Sequence, residues 1–224
     1  QVLFGPYPLF RIPRRPKAVF LDIDGTLIPK GESRIPRRII ADIRALAAEG
    51  CKLFFATALP YQDAGRKCGE IKELFQGGIF AGGAHILLDS GQDRREHFFF
   101  LEDRLVDMLK QQKEKRHFRI LVYVDVYAGG VYKITLVRPR KQGWKEEEVS
   151  ALKELCAVVA DVEGGAVAEG GRVRLFVEEN CLQIVAAEAT KAEGVKQICS
   201  WLGISPRETA AAGDSEEDEA MMAL

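Results

Sequence analysis

The stretch "AVFLDIDGTLIP", residues 18–29, constrains the fold of this chain more than any other. Four apolar residues, Ala18 to Leu21, run without a break into Asp22. An unbroken run, rather than an alternating one, marks a strand buried on both faces, as in a parallel sheet covered by helices. Asp24 follows after one apolar residue, and then come Gly25 and Thr26. Two residues apart on extended chain, Asp22 and Asp24 share a face, and at a strand end both carboxylates can turn into the space above the sheet. Carboxylates that close repel each other, and one takes up a proton unless a cation sits between them. A hard cation such as Mg2+ accepts carboxylate oxygens and keeps waters and a phosphate as its other ligands. Gly25 lets the backbone turn closely under a ligand. The plainer alternative is an acidic turn in which Asp and Gly act as turn formers.

The flanking sequence supports a parallel sheet. A helix is expected over 36–49, with Ile39, Ile43, Leu46 and Ala47 on one face, Pro36 in the first turn and Gly50 as a stop. "CKLFFAT", 51–57, reads as a second strand, 62–75 as a short helix, and "GIF" before Gly82-Gly83 as a third strand. This rhythm predicts parallel strands joined by crossover helices.

The middle of the chain changes character. "HFFFLE" (97–102) reads as a strand, followed by a helix with Leu105, Val106, Met108 and Leu109. Residues 118–127 and 131–137 form a hairpin pattern around Ala128-Gly129-Gly130, and 172–179 and 182–188 form a second. A helix over 145–156 carries Val149, Leu152 and Leu155. These elements predict an α+β unit on an antiparallel sheet. The last forty residues return to the alternation of the first third. A helix over 191–202 has Val195, Ile198 and Leu202 on one face, "TAAAG" (209–213) reads as a strand, and a helix starts after Ser215. The expected architecture is α/β, a Rossmann-like parallel-sheet core over 18–84 and 185–224. It is interrupted by an α+β domain over 85–184 and preceded by an arm, 1–17.

Composition excludes several classes. A net charge of −1 over 224 residues argues against a general binder of nucleic acid or membrane surfaces. The basic cluster Arg11, Arg14, Arg15 and Lys17 is short and broken by proline, and reads as a solvated arm. Arg138, Arg140 and Lys141 form a basic turn, either a solvated loop or a contact for an anionic substrate. No apolar run reaches the roughly 18 residues a membrane span needs. "QVLFGPYPLF" has no basic region and no initiator Met, so it does not read as a signal peptide, and "VLFGP" resembles a cloning remnant at 1–6. Cys51, Cys68, Cys156, Cys181 and Cys199 are scattered singly with no CxxC, as expected of reduced, buried cysteines in a cytoplasmic protein. His85, His97 and His117 have no metal-ligand spacing and read as surface or loop residues.

Ligands of open parallel sheets bind at the carboxyl ends of the strands, and three expected strands end there in a reactive group: Asp22, Thr57 and Asp214. The Thr57 hydroxyl can bond a phosphate oxygen or, more plainly, cap the next helix. Lys191 lies in "TKAE", a capping-box pattern that puts a cation in a first helical turn, against the helix dipole. The same position suits an anion, which would reconcile the lysine with the dipole. In "AGDSEEDEAMM" the dipole accounts for Asp218 in a first turn behind Ser215, but not for Asp214, which follows Gly213 at a strand end.

"DIDGT", "ATALP", Lys191 and "GDSEEDEAMM" together resemble the four motifs of the haloacid dehalogenase superfamily of phosphohydrolases. The insertion between Thr57 and Lys191 resembles the large α/β cap of its Cof-type branch, which includes sugar-phosphate phosphatases. The resemblance implies a Mg2+-dependent phosphatase of small phosphorylated metabolites, whose cap closes to exclude water and read the substrate. It makes Asp22 the nucleophile that forms an aspartyl phosphate, and Asp24 the group that protonates the leaving oxygen and then deprotonates water. Thr57, Ala58 and Lys191 would hold the phosphate oxygens. Asp22, the backbone carbonyl of Asp24, and Asp214 would bind Mg2+, with Asp218, Gly25 and Thr26 in support.

This chain departs from the family pattern in four places. Ala58 and Leu59 stand where Gly-Arg is frequent, which removes a cationic contact. Glu217 stands where Asn usually precedes the final Asp, adding negative charge near an anionic substrate, and Gly82 stands where Asn is common. The sequence stops at Leu224, where the family continues with further strand and helix, so the chain reads as shortened. Two other readings compete: a phosphomutase using the same nucleophile, and a phosphate- or metal-binding regulatory module with little turnover.

Overall fold

The structure, a computed structural model, describes residues 15–103, 105–107, 121–138, 144–150, 154, 173–177 and 181–224. These fall into two units, the first formed by the described residues up to Glu96 together with Lys191–Leu224, the second by those between His97 and Thr190.

The first unit is built on a six-stranded sheet. Its strands are β1 (Ala18–Leu21), β2 (Lys52–Ala56), β3 (Phe75–Phe80), β4 (His85–Asp89), β5 (Arg94–Phe98, which ends two residues into the second unit) and β10 (Thr209–Ala212), in the order β10-β1-β2-β3-β4-β5. β10, β1, β2 and β3 are parallel, and β4 runs antiparallel to β3. β1 is buried along its whole length, as its continuous apolar run requires. Its alternate residues serve the two faces. Val19 and Leu21 join Leu53, Phe55, Ile40 and Ile43 in one core cluster, and Phe20 stacks on Phe54 at 5.2 Å on the other face.

The connections are helical. α1 (Arg37–Ala48) follows β1, with Pro36 as its N-cap and Ile40 and Ile43 buried; Ile39, Leu46 and Ala47 pack against the same cluster. α2 (Tyr61–Lys67) follows β2. α3 (Lys191–Leu202) buries Val195, Ile198 and Cys199 and packs on β3 and β4. α4 (Glu216–Met222) follows β10 and packs on α3.

The second unit carries β6 (Leu121–Tyr127), β7 (Gly130–Val137), β8 (Val173–Val177) and β9 (Cys181–Ala186), an antiparallel sheet in the order β6-β7-β9-β8. Ile134, Leu136, Leu182 and Ile184 form its core with Leu101, Leu105 and Val106. The expected hairpin turn is two residues long. Ala128 (φ 48°) and Gly129 (φ 87°) are both left-handed, the backbone that lets a two-residue loop follow the strand twist.

Several expectations need correction. The first unit reaches to Glu96, not to Ala84, and resumes at Lys191, not at 185. Strand β4 escapes the sequence reading because "HILLD" follows Gly82-Gly83 with only a single 3-10 turn between β3 and itself; so short a link makes it the antiparallel neighbour of β3. The strand expected at 97–102 lies earlier, at β5. The helix expected over 62–75 stops at Lys67, before Gly69, and a separate 3-10 turn, Lys72–Leu74, leads into β3. His85 is buried because β4 is an inner strand, and its Nε2 lies 2.8 Å from Glu96 Oε1. Burial holds the His85 imidazole below its usual range, against the opposing pull of Glu96. Lys17 is not simply solvated: it pairs with Glu208 at 2.5 Å. Arg138 pairs with Glu148 at 2.6 Å and lies over the Trp144 ring.

Of the cysteines, Cys68 and Cys199 are buried, Cys51 and Cys181 are half-buried, and none of these four is in a disulfide among the described residues. Arg11, Arg14, Met108, Leu109, His117, Arg140, Lys141, Leu152, Leu155 and Cys156 lie outside the described residues, as do 1–6 and the outer ends of the hairpin strands expected at 118–127 and 172–179. No helix among the described residues is long and apolar enough to cross a membrane.

Candidate active site

The carboxyl ends of β1, β2 and β10 bring most of the singled-out residues to one end of the parallel sheet. Asp22 leaves β1 with its N–H donating to the Ala212 carbonyl at 3.0 Å, so the strand end is tied to β10. The chain then turns tightly: Ile28 N–H returns to the Ile23 carbonyl and Gly25 N–H to the Ile28 carbonyl, both at 2.8 Å. Gly25 has φ +91°, and a Cβ there would lie 2.2 Å from an Asp214 carboxylate oxygen. The glycine therefore makes room for a side chain of the protein itself, Asp214, as well as shaping the turn. Gly213 does the same for Asp218: a Cβ would lie 2.1 Å from the Asp218 carboxyl carbon. In sequence, Gly213 stands where the small-residue strand meets the acidic run, at the head of "GDSEEDEAMM".

Lys191, the first residue of α3, is 4% exposed and donates to Asp22 Oδ1 at 2.9 Å and to Asp218 Oδ1 at 2.6 Å. These two carboxylates offset its unfavourable place at a helix N-terminus. Asp218 is wholly buried and its other oxygen is fully used. Oδ2 accepts from the Asp214 N–H at 3.2 Å, the Ser215 N–H at 3.0 Å and the Ser215 hydroxyl at 2.7 Å. Asp218 thus holds both the lysine and the backbone that carries Asp214. Asp22 differs, because only Oδ1 is taken by Lys191.

The charge balance of this cluster is uneven. Two buried carboxylates face one ammonium. Burial raises the Asp22 carboxyl to about 6, with Lys191 pulling it down and Asp218 pushing it up. Burial alone would lower Lys191, but Asp22 and Asp218 together hold it above its ordinary value. The two shifts belong to one set: the lysine has two carboxylate partners, whereas Asp22 is drawn down by Lys191 and by the Ile23 backbone N–H and still stays raised, because burial outweighs them. Asp22, Asp214 and Asp218 each offer an oxygen within 4.8 Å of the others. Hard oxygen donors with excess negative charge fit a divalent cation such as Mg2+. Asp214 is partly exposed and is met by the Lys30 ammonium at 2.9 Å.

The Asp24 carboxylate is not in that cluster. It is half-exposed and ion-paired with Lys67. Thr57, one residue beyond β2, is buried; its Oγ1 accepts the Leu59 N–H at 3.1 Å, and its own N–H goes to the Ile79 carbonyl at 2.8 Å. It does not cap α2, whose N-cap is Pro60. Ala58 follows it in the same loop, half-buried. The buried Thr26 hydroxyl has no hydrogen-bond partner among the described residues. Sequence reasoning misses Lys67 and Lys30, since nothing near them in sequence marks a distant acidic partner.

A sequence profile of the haloacid dehalogenase-like hydrolases matches residues 19–161 and 167–224. No curated protein sequence matches significantly. Solved structures share the fold. A haloacid dehalogenase-like hydrolase from Bacteroides thetaiotaomicron superposes with a TM-score of 0.71 at 18% identity, over 92% of this chain and 84% of that one. A sugar phosphatase of haloacid dehalogenase subclass IIB gives 0.68 at 20% identity, over 92% and 83%. A haloacid dehalogenase-like hydrolase from B. subtilis gives 0.66 at 16% identity, over 92% and 86%.

Proposed function

Because this chain belongs to the haloacid dehalogenase-like hydrolases, we propose that it is a Mg2+-dependent phosphatase of a small phosphorylated metabolite, a sugar phosphate or similar monoester, acting through an aspartyl phosphate. The observation that carries this reading is the Asp22–Lys191–Asp218 set at the strand ends, in which Lys191 bonds Oδ1 of Asp22 and not its second oxygen. The sugar phosphatase among the structural neighbours and another neighbour described as part of a phosphoryl-transfer superfamily support the substrate class.

In this reading, the second oxygen of Asp22 attacks phosphorus in line with the leaving oxygen, and the phosphorus–oxygen ester bond breaks. Asp24 gives its proton to that leaving oxygen. Asp24 then takes a proton from water as the water attacks the aspartyl phosphate, which releases inorganic phosphate and regenerates Asp22. Lys191 stabilises the charge brought in by the phosphoryl oxygens. The Thr57 oxygen already accepts the Leu59 N–H, so its own proton is left to donate to phosphate, beside Ala58. Asp22, the Asp24 carbonyl and Asp214 would hold Mg2+, with Asp218 fixing the backbone of Asp214. When bound, the ion supplies Lewis-acid stabilisation of the phosphoryl oxygens and lessens their repulsion of the nucleophile.

The test is release of inorganic phosphate from a panel of phosphomonoesters, with and without Mg2+, for the wild-type chain and Asp22→Asn. Release that requires Mg2+ and falls on the order of a thousandfold in the variant is the expected result. No release from a folded wild-type protein would overturn the reading in favour of a binding module.

A further inference from the structure

The ammonium of Lys67 lies against the side chain of Asp24, although 43 residues separate the two in sequence. Lys67 is the last residue of α2, and that helix is fixed at both ends. At its start, the Asp63 and Ala64 N–H groups donate to the Pro60 carbonyl, and the preceding Leu59 is bonded to Thr57 and, through its carbonyl, to the Ala81 N–H. At its end, Ala64 and Cys68 are wholly buried, the Cys68 N–H donates to the Ala64 carbonyl, and the Cys68 carbonyl accepts from Ile71 and Lys72. The backbone of Lys67 is thereby held, and its Nζ bonds Asp24 Oδ1.

Magnitudes decide what this contact is for. Both side chains are more than a third exposed, 38% for Lys67 and 51% for Asp24. An ion pair so exposed contributes about 0–1 kcal/mol to stability. Yet a displacement of about 1 Å in a group that must reach a reacting atom can cost about a hundredfold in rate. A lysine on a fixed helix end matters little to the fold and much to the aim of the carboxylate it holds. With Oδ1 held, Oδ2 is the oxygen left to exchange a proton.

We infer that Lys67 is a positioning residue that aims the Asp24 carboxylate at the leaving-group oxygen of the substrate. The inference rests on the reading of Asp24 as the proton donor. It predicts a dependence on the leaving group. An alkoxide leaving group needs a proton as its bond to phosphorus breaks, whereas para-nitrophenolate departs without one.

The experiment compares kcat/KM, which reports the steps up to phosphoryl transfer, for two substrates with Mg2+ present. One is para-nitrophenyl phosphate and the other is the alkyl phosphate that the wild-type chain hydrolyses fastest. Lys67→Met lowers kcat/KM for the alkyl ester by about ten- to a hundredfold. It changes the value for the aryl ester by less than about threefold. Lys67→Arg restores most of the alkyl activity. The ratio between substrates is its own control for folding, since a misfolded fraction lowers both equally. An equal fall on both substrates, no fall, or a rise in alkyl turnover would overturn the inference. Asp22→Asn run alongside separates the two claims: if it retains wild-type phosphate release, Asp22 is not the nucleophile and the aspartyl-phosphate reading on which the inference rests is lost.

Discussion

The turn after β1 and the turn between β6 and β7 use the same backbone device for different ends. Gly25 sits at φ +91° and Gly129 at φ +87°. Around Gly129 there is open space, with nothing within 4 Å of a would-be Cβ, and the glycine only lets two strands meet. At Gly25 the same space is filled by the Asp214 carboxylate. A left-handed glycine therefore says only that the chain turns. What packs against it tells a connector from a site. The same contrast holds for the units around them. The second sheet is organised by an apolar face, whereas the end of the first sheet concentrates buried charge that is only partly balanced.

The sharpest way to break this comparison is Gly25→Ala. The left-handed backbone costs about 1–2 kcal/mol at either turn, but here the methyl group also displaces Asp214. Turnover is expected to fall by about a hundredfold, measured as steady-state phosphate release.

Asp22→Asn tests the charge imbalance by stability instead of rate. The Asp22 carboxyl is raised from 3.8 to about 6 in the folded chain. The folded state therefore binds this proton more tightly than the unfolded state, and stability falls as pH rises through the window from about 4 to 6. Above it, the metal-free wild-type protein carries a penalty of about 2–3 kcal/mol. Asp22→Asn should be more stable by that amount at pH 7, and the advantage should vanish as pH falls towards 4. Urea unfolding in EDTA at a series of pH values measures it, and Mg2+ should narrow the gap.

The smallest effect belongs to Gly129→Ala. It should lower stability by about 1 kcal/mol and leave turnover unchanged, read from the unfolding midpoint beside the phosphate assay. A loss of turnover as large as that of Gly25→Ala would erase the distinction between the two turns.

Much of the core is legible in the sequence because its signals are local. The run Ala18–Leu21 breaking at Asp22, the helix face of Val195 and Ile198, and the pattern around Ala128 and Gly129 each fall within one element. Asp22, Thr57 and Asp214 can be put at one end of a sheet because parallel strands share a direction. The rest depends on contacts between distant segments. The pairing of Lys67 with Asp24 is invisible in sequence, because α2 is cut short by its own C-terminal turn and no sequence rule gives the reach of a lysine. His85 reads as a surface residue because its burial follows from the place of β4 between β3 and β5, not from its neighbours in sequence. The helix dipole suffices to explain Asp218 in sequence, whereas its carboxylate also anchors Lys191 and the backbone of Asp214.

The pairing of β10 with β1 has a consequence in time. Asp22 and its ammonium partner are 169 residues apart, with the second unit between them. On the ribosome β1 emerges early and waits with one edge unpaired, an apolar strand open to wrong partners. Lys191, then Asp214 and Asp218, follow only after every strand of the second sheet has been made. Closing so long a loop comes late and slowly in folding. The buried carboxylate of Asp22 has no counter-charge until then, so the assembly of the site reports that the chain has folded from β1 through to α4.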